Sequence, residues 1–130
     1  SKIISDASAV IYQFPFYWMS APSLLKKWQD EIFTFLSKTP AVAGKPLTVV
    51  TTTGSEYEAY RSGGRNRFTT DELLRPYQVN AIHSGMSWQT PIVVYGMGTA
   101  DAGKNIAEGA NLYKQRVEML IGNSNAGNNW

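Results

Sequence analysis

Three short apolar runs, "SAVIYQF" (8–14), "LTVVTTT" (47–53) and "PIVVYG" (91–96), constrain this chain more than any other feature. Each is rich in β-branched residues and close to continuously apolar, the pattern of a strand covered on both faces. Helical patterns lie between and after them. Leu25, Trp28, Ile32 and Leu36 fall at spacings of three, four and four, and predict one apolar stripe on a helix that opens near Pro22, with Ser20 or Ser23 as its cap. Lys26 with Asp30 and Lys27 with Glu31 are placed one turn apart on the wet side of that helix. A second helix is predicted from Thr70 to just before Gly85, kinked or split by Pro76. A third is predicted from Asp101 to Ile121, with Ile106, Tyr113, Val117 and Leu120 as its inner stripe. Alternating strands and helices read as right-handed crossovers on a parallel sheet. The predicted domain is 1–122, followed by an Asn- and Gly-rich flexible tail, 123–130.

The totals exclude several function classes. A net charge of +2 and a single short Arg-rich patch, "YRSGGRNRF", argue against a nucleic-acid partner. With no cysteine and one histidine, neither a disulfide framework nor a thiolate or His-based metal site is expected. No apolar run approaches the ~20 residues needed to span a bilayer, and "SKIISDASAV" has no signal-peptide pattern, so a cytoplasmic protein is expected.

In an open parallel sheet, ligands bind beyond the carboxyl ends of the strands. Three segments should meet there: "FPFYWMS", "TTTGSEYEAY" and "YGMGTADAG". They offer flat rings, hydroxyls, and glycines beside which a ligand could approach, a set suited to a planar heteroaromatic with polar edges; core packing is the alternative use of the rings. "GTADAGKN" (98–105) imitates a phosphate-cradling GxxxxGK loop. Asn105 replaces the hydroxyl that would ligate magnesium, and no strand ends in an acidic residue, so the segment reads as a Gly-rich loop with an exposed Lys104. His83, beside Gly85, reads as a charge at a helix C-terminus rather than a catalytic base. Glu56 and Glu58 have no identifiable acid/base partner.

Taken in order, "YQFPFYWMSAPSLLKKWQDEIF", "TTTGSEYEAY", "GRNRFTTDELLRPYQVNAIHSGM" and "PIVVYG" resemble the flavodoxin-like NAD(P)H:quinone oxidoreductase family. That family includes DT-diaphorase, the modulators of drug activity B and the flavoprotein ancillary subunits of glutathione-gated potassium efflux systems. The resemblance covers nearly the whole chain and implies a flavodoxin-like α/β fold of which strands three to five are present. It implies FMN or FAD as cofactor, NAD(P)H as co-substrate and a quinone-like acceptor. Pro15, Phe16, Tyr17, Trp18 and Met19 would lie against the flavin ring, Thr52, Thr53, Gly54 and Ser55 would meet its pyrimidine end, and Tyr60 would act catalytically near the charge of the reduced ring. Arg61, Arg65 and Arg67 could meet a phosphate of the dinucleotide or form an exposed flexible loop.

Two departures from the family pattern stand out. Ser55 replaces a second glycine, which is tolerable only without a positive φ. The histidine that assists the tyrosine in DT-diaphorase has no equivalent, the local residues being Arg65, Asn66 and Arg67. The resemblance also implies that the chain is the carboxy-terminal part of such a domain, lacking the first two strand-helix units and their flavin-phosphate loop. The strand at 8–14 would then have an open edge, to be covered by a second copy, a swapped segment or a separate fragment. A homodimer or other oligomer is expected, since the family builds its site across two subunits. Two further readings are a regulatory flavoprotein subunit docking on a potassium efflux transporter, and a flavodoxin-type electron carrier; the slightly basic charge weakens the last.

Overall fold

The computed structural model describes residues 2–126. A short helix α1 (Lys2–Asp6) leads into strand β1 (Val10–Pro15). The ammonium of Lys45 donates to the carbonyls of Ile4 and Ser5, both at 2.7 Å, and so caps the end of α1. A continuous helical stretch follows as α2 (Ser23–Trp28), a π-helical turn (Gln29–Phe33) and α3 (Thr34–Leu36). Then come β2 (Pro46–Thr52), a 3-10 turn (Tyr57–Tyr60), α4 (Thr70–Leu73), α5 (Arg75–His83), β3 (Ser87–Trp88), β4 (Ile92–Val94) and α6 (Ala102–Ala126). The expected third helix thus runs beyond Ile121, and residues 127–130 of the expected tail lie outside the described residues.

All strand pairs are parallel, and β2 is central, with six of its seven residues buried. β1 pairs with β2 over six residues, from Val10 with Leu47 to Pro15 with Thr52. On the other side β3 and β4 occupy one strand position in two pieces. Trp88 pairs with Leu47 and Ile92 with Val50, so four residues on this side match three on β2. The extra residue makes a bulge. Its carbonyls are satisfied from inside: the hydroxyl of fully buried Thr48 reaches the oxygens of Gln89 (3.2 Å) and Thr90 (3.1 Å), and the Arg116 guanidinium also donates to Thr90.

One face of the sheet carries the main core. Val10, Tyr12 and Phe14 alternate inward and pack with Leu47, Val49, Phe33, Leu36, Val42, Leu74 and Tyr77. The Tyr12 ring is ringed edge-on by Trp28, Phe33 and Tyr77 at 6.1, 6.4 and 6.2 Å between centroids. Its hydroxyl is buried without a hydrogen bond, and burial pushes the phenol up to about 12, the nearby Gln29 side chain only partly opposing this.

The helix patterns need two corrections. Ile32, expected in the first stripe, is 43% exposed, whereas Phe33 is 6% exposed. The π-helical turn inserts one residue into the helix and advances the stripe from 32 to 33, so the inner spacing becomes three, five and three. In the last helix Ile106 is 47% exposed, and Asn105 and Gly109 hold the inner positions together with Tyr113, Val117 and Leu120. A stripe chosen by hydrophobicity misses these two because their contacts are an amide and a missing side chain: Asn105 Nδ2 donates to the Tyr95 carbonyl at 2.8 Å, and a Cβ on Gly109 would sit 2.3 Å from a methyl of Val94. Neither Ser20 nor Ser23 caps α2; Pro22 takes the cap position with no side-chain hydrogen bond. Pro76 does split the second helix, with the break at Leu74; the first piece is closed at its start by a capping box between Thr69 and Glu72, and the second follows Leu74 with no side-chain cap. Both lysine pairs on the first helix form, Lys26–Asp30 at 2.6 Å and Lys27–Glu31 at 3.0 Å, on exposed side chains where they contribute little. Among the described residues no helix is long and apolar enough to cross a membrane.

Candidate functional site

β1 and β2 end in register, Pro15 opposite Thr52, so the segments that follow them emerge side by side. The Phe16 amide still donates to the Thr52 carbonyl at 2.9 Å, and then the chain reverses within four residues. Tyr17 and Ser20 exchange backbone hydrogen bonds of 2.8 and 3.0 Å, which leaves Trp18 and Met19 as the two central residues of the turn. Both are left-handed, at φ 49° and 63°. Such a turn ordinarily takes Gly, Asn or Asp, and each residue carrying a Cβ there costs about 1–2 kcal/mol. The turn also displays what a core would hide: Trp18 is 97% exposed and Tyr17 58%. Strain and exposure together at one aromatic turn point to a ligand-facing surface.

The turn is anchored from beneath. Tyr77 packs on Phe14 at 5.3 Å, and its hydroxyl lies 3.1 Å from both the Ser20 hydroxyl and the Ala21 amide. This gives the "RPYQ" segment a physical role that the sequence pattern alone did not reveal.

The loop after β2 is held by a second zip. Thr53 is 1% exposed and fully committed: its amide donates to the Val94 carbonyl, its carbonyl accepts from Met97 and its hydroxyl donates to the Ser55 carbonyl. Gly96 and Gly98 donate to the carbonyls of Ser55 and Gly54 at 2.8 and 2.9 Å. A Cβ on Gly98 would lie 3.1 Å from the Gly54 oxygen, so this glycine serves the close approach of the two loops; Gly96 is left-handed, packed against Thr99 and Asn105. Both glycines had been expected to admit a ligand, and both instead admit protein. The amides of Gly54 and Ser55 take no part in these bonds, and the side on which Gly54 would carry a Cβ is open. Ser55 has no positive φ, so the condition on its replacing glycine is met.

Tyr60 is 5% exposed and bridges the two zones: its ring lies 6.0 Å from Phe16 and 5.9 Å from Tyr95. Tyr95, which the sequence reading left unused, also meets Tyr57 at 5.3 Å and shares a 2.7 Å hydrogen bond with Thr70. Burial raises its phenol above the ordinary value, the Thr70 hydroxyl opposing. Behind Tyr60 a cavity of about 540 Å³ runs between Tyr57, Tyr95, Thr70, Leu112 and Arg116. Of the expected site residues only Tyr60 lines it.

Glu56, without a partner in the sequence reading, pairs with Arg65 at 3.0 Å, and Arg65 also donates to the Ser55 hydroxyl at 3.0 Å. The Glu56 carboxyl is held below its usual range by a hydrogen bond with its own backbone and then by Arg65. Asn105, in the imitation phosphate loop, is spent on the Tyr95 carbonyl. His83 lies exposed in the last turn of α5, which ends at left-handed Gly85.

Flat rings on one strand end, the amides of Gly54 and Ser55 on the next and a buried tyrosine between them are the groups that this end of the sheet brings together. Residues 2–117 match a family model described as a flavodoxin-like fold. The chain is 37% identical over 122 residues to general stress protein 14 of Bacillus subtilis, covering 91% of this chain and 69% of that protein. It is 38% identical over 98 residues to the glutathione-regulated potassium-efflux system ancillary protein KefG of Serratia proteamaculans, covering 72% of this chain and 54% of that one. The crystal structure of general stress protein 14 from Treponema denticola, in complex with FMN, superposes with a TM-score of 0.81 at 26% identity, over 92% of this chain and 70% of that one. An NADPH-quinone reductase from P. pentosaceus superposes with a TM-score of 0.70 at 27% identity, over 99% and 72%.

Proposed function

This chain belongs to the flavodoxin-like NAD(P)H:quinone oxidoreductase family, and we propose that it serves an oxidoreductase that passes a hydride from NAD(P)H, through bound flavin, to a quinone-like acceptor. The observation that carries the reading is the strained aromatic turn, Trp18 and Met19 at positive φ with Trp18 97% exposed, in register with the open loop at Gly54. The FMN seen with the Treponema denticola protein favours FMN over FAD.

The residues present fit the ring of such a cofactor. Pro15, Phe16, Tyr17, Trp18 and Met19 would flank it, and the amides of Gly54 and Ser55 would donate to its polar edge, with Thr52 and Thr53 setting their position. When bound, FMN or FAD would supply two-electron hydride chemistry that no side chain here can perform. The protein's own part is to orient and to exclude water. Tyr77 and the Gly96–Gly98 zip fix the two walls, so little reorganisation accompanies binding. Tyr60, lodged between Phe16 and Tyr95, would place its phenol beside the ring edge where negative charge collects. The exposed rings would receive first the nicotinamide and then the acceptor.

The test is titration of the chain with FMN, read by flavin absorption and fluorescence. Saturable quenching that Met19→Gly weakens while raising stability supports the reading, since glycine relieves the left-handed strain and removes a ring contact. Saturable binding that neither Met19→Gly nor Gly54→Val alters would refute it.

A second reading rests on the potassium-efflux relatives: the same flavoprotein as a regulatory subunit of a membrane transporter. Turnover at full rate without a membrane partner favours the enzyme, and co-purification with a transporter favours the regulator. In either case we place the protein in the cytoplasm and as a homodimer or larger assembly. Among the described residues no strand pairs with the outer edge of β1, and we propose that this edge is covered in that assembly. Amide exchange at residues 9–13 as fast as in an unfolded peptide would sink that proposal.

A further inference from the structure

Residues 61–67, "RSGGRNR", carry three guanidinium groups and no carboxylate. The sequence suggests an exposed flexible loop, but the backbone is cross-linked into a hook. The Gly64 amide donates to Arg61 at 2.8 Å, Asn66 to Ala59 at 2.9 Å, Arg67 to Gly64 at 2.9 Å and Phe68 to Asn66 at 2.8 Å. Gly64 is pressed so closely on the 3-10 turn that a Cβ there would lie 2.2 Å from the Glu58 oxygen. Arg67 is held left-handed at φ 65°. The three arginines are unequally committed. Arg61 lies over the Tyr57 ring at 5.6 Å, and Arg65 is shared between Glu56 and Ser55. Among the described residues Arg67 forms no ion pair, and with Arg65, Ser62, Gly63 and Gly64 it lines an open hollow of about 580 Å³.

We propose that this hook is a phosphomonoester site, and that its ligand is the 2′-phosphate of NADPH, so that the protein prefers NADPH to NADH. The inference rests on the oxidoreductase reading above. A dianion would meet a guanidinium without a carboxylate, a hydroxyl and a backbone that is already ordered, which removes much of the entropic cost of binding. The Arg65–Ser55 hydrogen bond ties the hook to the loop proposed for the flavin edge, within the same surface. Two ligands of this system carry a phosphomonoester, NADPH and FMN. The exposure of the hook favours the one that must leave after every turnover, since a resident cofactor's phosphate is ordinarily enclosed by backbone amides at a helix start.

The experiment compares NADP⁺ with NAD⁺, and FMN with riboflavin, in calorimetric titrations of the chain and of Arg67→Gly. That substitution removes the guanidinium and leaves the residue that most readily adopts a positive φ, so the hook should persist. NADP⁺ is expected to bind at least about tenfold tighter than NAD⁺ at low salt, and Arg67→Gly to bring the ratio to within about twofold with FMN binding unchanged. An unchanged ratio in Arg67→Gly, or a ratio near one in the parent, overturns the proposal. Loss of the preference for FMN over riboflavin would give the hook to the flavin instead. Failure of the parent to bind FMN at all would count against the oxidoreductase reading, while the NADP⁺ to NAD⁺ ratio would still decide the hook.

Discussion

Helix α6 rests on β4 through a glycine, and this contact sets up an unusually discriminating substitution. Replacing Gly by Ala inside a helix ordinarily stabilises by about 0.5–1 kcal/mol. At Gly109 the new Cβ would lie 2.3 Å from Val94 Cγ2 and 3.5 Å from the other two branched atoms. Val94 is 8% exposed and stiff at χ1, so relief requires that helix and strand separate by roughly 1 Å, an overpacking cost of about 1–3 kcal/mol. The sum predicts that Gly109→Ala destabilises by about 1 kcal/mol net, whereas Gly103→Ala in the same helix, where nothing lies within 4 Å, is neutral or stabilising. Val94→Ala removes the obstructing methyls, so the double variant should be more stable than the two single effects added, by about 1–2 kcal/mol. Urea unfolding of the four proteins, with slopes checked for equality, measures this cycle. Additivity within about 0.5 kcal/mol, or Gly109→Ala as stabilising as Gly103→Ala, would show that the contact does not limit how closely α6 approaches the sheet. The same displacement would reach the proposed ligand platform, because Val94 accepts the amide hydrogen bond of Thr53. Gly109→Ala should therefore weaken FMN binding as well.

Two further outcomes follow from the core. Phe33→Ala should cost about 3 kcal/mol or more in urea unfolding and Ile32→Ala less than about 1, the reverse of the order an uninterrupted helix would give. Tyr12→Phe removes a buried hydroxyl that has no hydrogen bond and should leave stability at neutral pH equal or about 1 kcal/mol higher. Because the folded pKa of Tyr12 is raised to about 12, its stabilising share is complete below the unfolded value of 10.0 and is lost between there and about 12. The parent should lose roughly 2 kcal/mol more than the Phe variant over that window, and parallel stability curves above pH 10 would contradict the assignment.

The strands were legible because β2 is buried on both faces, so it reads as a near-continuous apolar and β-branched run in which the buried Thr48 and Thr51 hydroxyls are spent on backbone carbonyls. The break at Pro76 was legible because a missing amide leaves no alternative. The phase of the first helix was not, since a π-helical turn depends on how Trp28 and Phe33 pack on Tyr12, and nothing in the spacing announces it. The site residues were read from ordered motifs, and the structure brings them to one end of the sheet; what the motifs hid was how they are supported. Tyr77 under the turn and Gly98 against Gly54 act across gaps of 56 and 44 residues, and no local pattern carries such pairings. The capping box at Thr69 and Glu72, by contrast, has a local signal, Thr-x-x-Glu ahead of Leu73.

The bulge between β3 and β4 also decides what this side of the sheet can do in company. A free sheet edge is a template on which any extended chain can grow, and long flat edges are how soluble proteins begin to aggregate. Here the outermost strand position is cut into two and three residues, with Pro91 lacking an amide at the join and the Thr90 carbonyl already taken by Thr48 and Arg116. No incoming strand finds more than three consecutive residues to pair with. Among the described residues this border of the sheet is therefore blunted against recruitment, in contrast to β1, whose six residues pair with β2 without a break.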